Sequence, residues 1–390
     1  MSSSSTEHPV QRHPQLQIIF AVTLISVMSI SSVTPAFPGV VRALGISVGE
    51  VGLLVTVYSI PGILLTPFLG VLADRIGRKR VLLPSILLFS IAGASCALAR
   101  DFHLLVALRF FQGLGSAPLI ALCVTIIGDL FEGRRRAQAI GLNAAVLNIG
   151  TATYPMVGGA LALMAWYWPF AMPILALPVA ALVWRGLDVD GSASHRRGIK
   201  RYLVSVRSGL RDRRILGLLI AGAGIFIFLF GSYLTYLPEL AEEHHGAGSF
   251  AAGVLISLSS VTTGLTSSFL GRLSEQRSMA QLILGSFVIA ATALMLMPLA
   301  PNLTMLGACS LLFGVAQGLS LPAIQTRLTD LVPAPSRAAF FALNATALKV
   351  GQMVGPLLMG LVIATLGTAA VFYAGAVVAL LMLLLCMRML

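Results

Sequence analysis

Charge is scarce in this sequence. Asp, Glu, Lys and Arg make up 10% of its 390 residues, and hydrophobic residues make up 57%; the mean hydropathy is +0.93. A soluble domain carries about 25% charged residues. There is too little polar material here to cover a soluble surface, so the class is a polytopic membrane protein. The formal net charge of +12 does not point to nucleic acid. The cations sit in short loops between apolar runs, where membrane orientation accounts for them.

Other absences narrow the chemistry. The cysteines Cys96, Cys123, Cys309 and Cys386 all fall inside apolar runs without zinc-ligand spacing, and read as small apolar filler. The pair His244–His245 beside Glu242 and Glu243 reads as a solvated acidic turn rather than a metal site. No G-x-x-x-x-G-K-[ST] string occurs, so ATP drive is not implied. No nucleophile–base pair or metal cluster falls at membrane depth, which argues against an enzyme; no cofactor is implied. Acids are missing from the middle of every apolar run: Glu50, Asp129, Glu239 and Asp330 lie near run ends.

What is present is length and apolarity. A span needs about 20 largely apolar residues. Twelve such runs are expected, at 16–37, 50–72, 81–99, 103–128, 138–163, 167–186, 215–237, 250–271, 279–299, 303–326, 339–364 and 367–387. The polar, Ser-rich residues 1–14 read as a disordered tail. The run that follows is too long for a signal-peptide core, so the first span is expected to stay uncleaved. The 26 lysines and arginines fall on one side, except Arg42 and Arg100 on the other and Arg109 and Lys349 within spans. That bias places both termini in the cytoplasm. Residues 187–214 form a basic linker. Leu203, Val206 and Leu210 recur there at helical spacing among cations, as in a short helix lying on anionic lipid headgroups.

The linker separates two six-span bundles, 15–186 and 215–390, and the bundles repeat. A shift of 201 residues, which is the offset between Gly70 and Gly271, also carries Asp129 to Asp330, Asn143 to Asn344 and Gly150 to Gly351. It carries Pro155 to Pro356 and Gly159 to Gly360 as well. Two similar bundles about an axis along the membrane normal, with a site between them at mid-depth, is a transporter arrangement.

Three stretches carry more than a generic span would. Gly70–Arg80 reads G-V-L-A-D-R-I-G-R-K-R and must lie in water at a membrane face. Anchoring explains its cations but not its acid and glycines. The fourth run contains R-F-F-Q-G from Arg109, a cation at a depth where charge is costly and functional by default. The fifth holds Gly141, Gly150, Pro155, Gly158 and Gly159, small residues that let backbones approach, with a proline that bends the helix. These three stretches resemble the major facilitator superfamily, and most of all its twelve-span drug:proton antiporters. The resemblance covers nearly the whole chain beyond the tail.

It implies an all-α fold of twelve transmembrane helices in two pseudo-symmetric six-helix bundles. It implies export of small amphiphilic or drug-like molecules by alternating access, with protons as the coupling ion, membrane lipids as surroundings, a bacterial inner membrane as location and a monomer as the working unit. By resemblance Gly70, Asp74, Arg75, Gly77 and Arg78 are conformational-switch residues, Arg109 is linked to proton coupling, and the glycines of the fifth span with Pro155 form the antiporter motif. Tyr154 stands where that motif has Gly. An importer or facilitator of an organic anion, or a lipid mover, would use the same fold.

The substrate cavity is expected to draw on Lys349 and Gln352, which share a helix face, and on Asn148 at the repeat position of Lys349. Tyr58, Gln112, Asn143, Tyr233, Gln317 and Asn344 extend the set, while Tyr236 beside Pro238 reads as part of an interfacial aromatic belt. With Arg109 and Lys349 as the buried charges and no acid at depth, the expected substrates are anionic, zwitterionic or neutral amphiphiles rather than organic cations.

Overall fold

A computed structural model of the chain describes residues 10–188, 212–332 and 337–389. Twelve helices run through the described residues. In the first half they are α1 (Pro14–Leu44), α2 (Leu53–Ile76), α3 (Arg78–Cys96), α4 (Phe102–Leu130), α5 (Gly133–Met164) and α6 (Trp168–Gly186). In the second they are α7 (Arg213–His245), α8 (Ser249–Gln276), α9 (Met279–Leu299), α10 (Leu303–Leu331), α11 (Arg337–Leu366) and α12 (Thr368–Met389). Eleven are long and apolar enough to cross a membrane; α2 has 24 residues, and the apolar helical stretch Glu50–Leu65 runs into it from the 3-10 turn Glu50–Gly52.

Local chemistry sets the breaks. Pro35 within the 3-10 turn Thr34–Ala36 and Pro38 at the start of the segment Phe37–Leu44 bend α1 before its end, because each proline removes a helix donor. Gly77 joins α2 to α3 at φ +102°, a conformation a side chain with Cβ rarely adopts. In α7 a π-helical stretch, Leu229–Leu234, interrupts the α-helix.

The ends of the expected segments move. Val10–Arg12, expected in the tail, form a 3-10 turn; Val10 is buried, and the His13 ring stands edge-on to Phe131 at 5.2 Å. Arg213 and Arg214, expected in the linker, open α7, where the Asp212 carboxylate accepts from the Arg214 N–H at 2.8 Å. The earlier tail and the rest of the linker, including the interfacial helix expected around Leu203, Val206 and Leu210, lie outside the described residues.

The 201-residue repeat is visible in side-chain detail. Asp101 caps α4 by accepting from the Leu104 N–H at 2.9 Å, and Asn302 caps α10 by accepting from Met305 N–H at 2.9 Å. A Cβ on Gly113 would lie 2.1 Å from the Tyr58 carbonyl oxygen. One on Gly314 would lie 2.2 Å from that of Ser259. In each half the fourth helix therefore presses its backbone onto the second, at equivalent positions, where only glycine fits.

Two apolar cores result. One packs Leu16, Ile86, Phe89, Ile126 and Val183 inside the first half, toward the face that carries the Gly70–Arg80 loop. We call this the basic face. The other fills the second half around Phe228, Tyr233, Phe287 and Phe313, and continues into Val33, Phe37, Val40, Val51 and Leu54 of the first. The halves thus share one core at the far face and not at the basic face.

Candidate functional site

The site is the space between the halves, and two seams close it at the far face. In the first, α5 meets α8. A Cβ on Gly159 would lie 2.4 Å from the Ser249 carbonyl oxygen, and one on Gly253 would lie 2.3 Å from that of Pro155. In the second, α2 meets α11. A Cβ on Gly360 would lie 2.8 Å from the Gly49 carbonyl oxygen, and one on Gly52 would lie 3.0 Å from that of Pro356. The shift of 201 maps Gly52 onto Gly253, Pro155 onto Pro356 and Gly159 onto Gly360, so one contact is built twice. Toward the basic face, Gly141 on α5 and Gly264 and Gly271 on α8 meet nothing within 4 Å. Among the described residues the halves press together at the far face, and these three glycines toward the basic face make no such contact.

The glycines of α5 divide between two tasks. Gly150 and Gly158 pack against α1 within their own half, on Val27 and the Ser32 carbonyl. Gly159 and Pro155 reach across to α8. Tyr154 lies beside Gly150 and packs against the first half's core. The departure from the glycine usual there is therefore absorbed within the half and leaves the α5–α8 contact tight.

Arg109 on α4 is 0% exposed. Its guanidinium donates to Ser29 Oγ and Gln112 Oε1, both at 2.8 Å, and to the Leu54 carbonyl at 3.3 Å. The rings of Tyr58 and Phe170 stand 5.1 and 5.6 Å from its central carbon. Every one of these partners is neutral and belongs to the first half. The geometry rules out snorkelling: the side chain runs into the bundle, not toward an interface.

Of the residues expected in the cavity, most turn into their own half. Tyr58 and Gln112 form the Arg109 pocket. Asn143 accepts from Thr23 Oγ1 on α1 at 2.7 Å, and Asn344 packs against Gly222 on α7. Tyr233 is fully buried, stacked on Phe313 at 4.3 Å and donating to the Leu255 carbonyl at 3.1 Å. Gln317 is buried in α10. Lys349 and Asn148 keep partial exposure. Lys349 Nζ donates to Gln352 Oε1 at 3.1 Å, and its stem runs past Gly62 of α2, whose Cβ would lie 3.6 Å from Lys349 Cδ.

Tyr236 is not in an interfacial belt. It is 0% exposed, and its hydroxyl sits between the carbonyl oxygens of Gly49 and Pro356, 3.4 Å from each. Proximity to Pro238 in sequence suggested the interface; the α7 backbone instead turns this ring into the α2–α11 seam. A further link that sequence reasoning missed joins the halves here, the ion pair Arg42–Glu242. Glu242 is thereby engaged away from its histidine neighbours. On the basic face, Arg78 pairs with Asp129 and donates to the Thr125 carbonyl at 2.8 Å, tying the loop to the end of α4 in the same half. Arg75 is exposed; the side chain of Asp74 lies outside what the structure describes.

Comparison with known proteins agrees with this geometry. The family model of the Major Facilitator Superfamily matches residues 19–302 and 240–390. The chain is 24% identical over 353 residues to the bacillibactin exporter of Bacillus subtilis, covering 86% of each. It is 23% identical over 357 residues to the quinolone resistance protein NorA of Staphylococcus aureus, covering 89% of each. A bacterial homologue of the human lysosomal transporter Spinster, in an inward-facing and occupied conformation, superposes with a TM-score of 0.82 at 18% identity over 96% of each chain. The chain is a multi-pass membrane transporter for small molecules, and it belongs to the Major Facilitator Superfamily.

Proposed function

We propose that this transporter exports small amphiphilic, drug-like molecules by alternating access, driven by inward protons. The observation that carries the reading is the doubled glycine–proline contact at the far face, built from the fifth-span motif and its repeat in α11. The excess of cations on the basic face supports a cytoplasmic location for that face and for both termini. The state described here then loads from the cytoplasm, as an exporter does before it turns. The names of the two relatives, an exporter and a resistance protein, point the same way.

In this reading the unit is a monomer in a bacterial inner membrane. The Gly70–Arg80 loop, with Gly70, Asp74, Arg75, Gly77 and Arg78, latches the cytoplasmic side when the halves turn; the Arg78–Asp129 pair readies the loop in the open state. Arg109 fixes α1, α2 and α4 to one another around a charge and couples proton movement to their motion. With acids absent from mid-span, proton uptake falls to groups near the ends, such as Glu239 or Asp74.

The test is transport in inside-out vesicles under an imposed pH gradient, using wild type and Arg109→Ala. Gradient-dependent uptake, lost in the variant, is the expected result. Uptake indifferent to the gradient removes antiport. It would favour a facilitator of organic anions, the second reading, which the partly exposed Lys349 at mid-depth supports.

A further inference from the structure

We infer that Lys349 selects the passenger by charge, and that the passenger carries an anionic head, such as a carboxylate or sulfonate, which docks on Nζ between α2 and α11. The inference rests on the transport reading above and narrows it to a substrate class. Two cations lie at membrane depth, and the structure separates their roles. Arg109 is sealed within one half, its faces covered by rings and its bonds made to neutral acceptors. Lys349 stands on a seam between the halves and keeps partial exposure.

Lys349 lies 11 residues before Gly360 in α11, so about 16 Å below the far-face contact at about 1.5 Å per residue. That is near the middle of a hydrocarbon core about 30 Å thick. An ammonium carries three donors. One is used, by Gln352 at 3.1 Å, and among the described residues no carboxylate pairs with the amine. Gly62 lets the stem lie against bare helix: a Cβ there would sit 3.6 Å from Cδ and 3.7 Å from Cε, so a larger side chain would displace the amine. A charge held in low dielectric without a counter-ion is costly, and an arriving anion relieves that cost where a cation adds to it. At the repeat positions on the other seam stand Asn148 and Thr263, both neutral. Thr263 Oγ1 is satisfied by the Ser259 and Gly314 carbonyls at 2.8 and 3.0 Å. The charge is therefore on one seam, and it faces the space the substrate must use.

The experiment compares three probes that differ in the head alone: pyrenebutyrate, pyrenebutanol and pyrenebutyl-trimethylammonium. Binding to the full chain in phosphatidylcholine nanodiscs is read by fluorescence. Wild type is expected to bind the anion about tenfold or more tighter than the cation. Lys349→Gln should bring that ratio to within about twofold, Lys349→Glu should invert it, and Lys349→Arg should keep it. Gly62→Leu, which retains the lysine but moves it, should weaken the anion and spare the neutral probe. The inference is overturned if wild type prefers the cation or binds none of the probes, or if a folded, monodisperse Lys349→Gln keeps the preference. Transport is scored separately in vesicles. A charge preference that follows Lys349, with no probe transported outward, would sink the export reading and leave the selector standing.

Discussion

The two seams that close the far face are related by the repeat and yet are held differently. Between α5 and α8 the closure is backbone on backbone: Gly159 on Ser249 and Gly253 on Pro155. Between α2 and α11 the same glycine–proline contact recurs at Gly360 and Pro356. Polar bonds are added to it, from Tyr236 to Gly49 and Pro356 and from Thr56 Oγ1 to the Met353 carbonyl at 2.9 Å. Lys349 then stands deeper in the same seam. The first seam is sealed by shape and the second by shape plus directional bonds. Shape closes a dry interface because dispersion and small residues hold it. Hydrogen bonds can be exchanged with water, so the two seams should respond differently to substitution.

The comparison breaks most severely at its glycines. Gly159→Val places a Cβ 2.4 Å from a carbonyl oxygen in the opposite half, where backbone has no room to yield. Overpacking of this kind costs about 1–3 kcal/mol. The closed far face should lose about 5- to 150-fold in population against the far-face-open state, and transport should fall with it. Gly360→Val meets the Gly49 carbonyl at 2.8 Å and should do the same more mildly. Spin labels on the far-face ends of α5 and α8 read the change as a longer distance. Gly141→Ala serves as the control in the same motif: it meets nothing within 4 Å and should leave the distance unchanged. Equal loss from Gly141→Ala and Gly159→Val would mean that the motif acts through helix flexibility and not through the seam.

Tyr236→Phe tests what the polar seam adds. The ring stays buried and one hydroxyl leaves, a change worth about 0.5–1.5 kcal/mol for a hydrogen bond of ordinary strength. The expected shift toward the far-face-open state is about two- to tenfold, smaller than for Gly159→Val, and confined to labels across α2 and α11. An equal shift across both seams would show that the halves close as rigid bodies and that the division between shape and bonding has no mechanical meaning.

The sequence revealed the frame of this architecture but not the direction in which its side chains point. The offset of 201 and the spacing of the α5 glycines were readable because they are identities of small residues, and small residues mark where backbones touch. The polar residues were harder. Asn143, Asn344, Tyr58, Gln112 and Tyr233 were expected around the cavity, and the structure turns them into their own halves. A helix in a membrane bundle presents polar groups both to a cavity and to buried partners on neighbouring helices, and periodicity is the same for each. Tyr236 was misplaced for a related reason: depth along the membrane says nothing about rotation around the helix. The two buried cations make the same point: Arg109 is sealed among neutral partners of its own half, while Lys349 stands against Gly62 of the other half, and nothing in their spacing distinguishes the two.

The smallest effect is expected from the outermost link. Arg42 and Glu242 join the halves in the closed far face, but the arginine side chain is 63% exposed and the glutamate 31%. Water and salt screen such a pair, and exposed ion pairs contribute about 0–1 kcal/mol. Arg42→Gln should therefore change the populations by no more than about fivefold, and the difference from wild type should vanish near 1 M salt, where the Debye length falls to about 3 Å. The exchange Arg42→Glu with Glu242→Arg should restore wild-type behaviour, while Arg42→Glu alone, set among Glu239, Glu242 and Glu243, should open the far face more than Arg42→Gln does. A loss as large as that of Gly159→Val, persisting at high salt, would mean that the far face is held from its rim and not from its buried glycines.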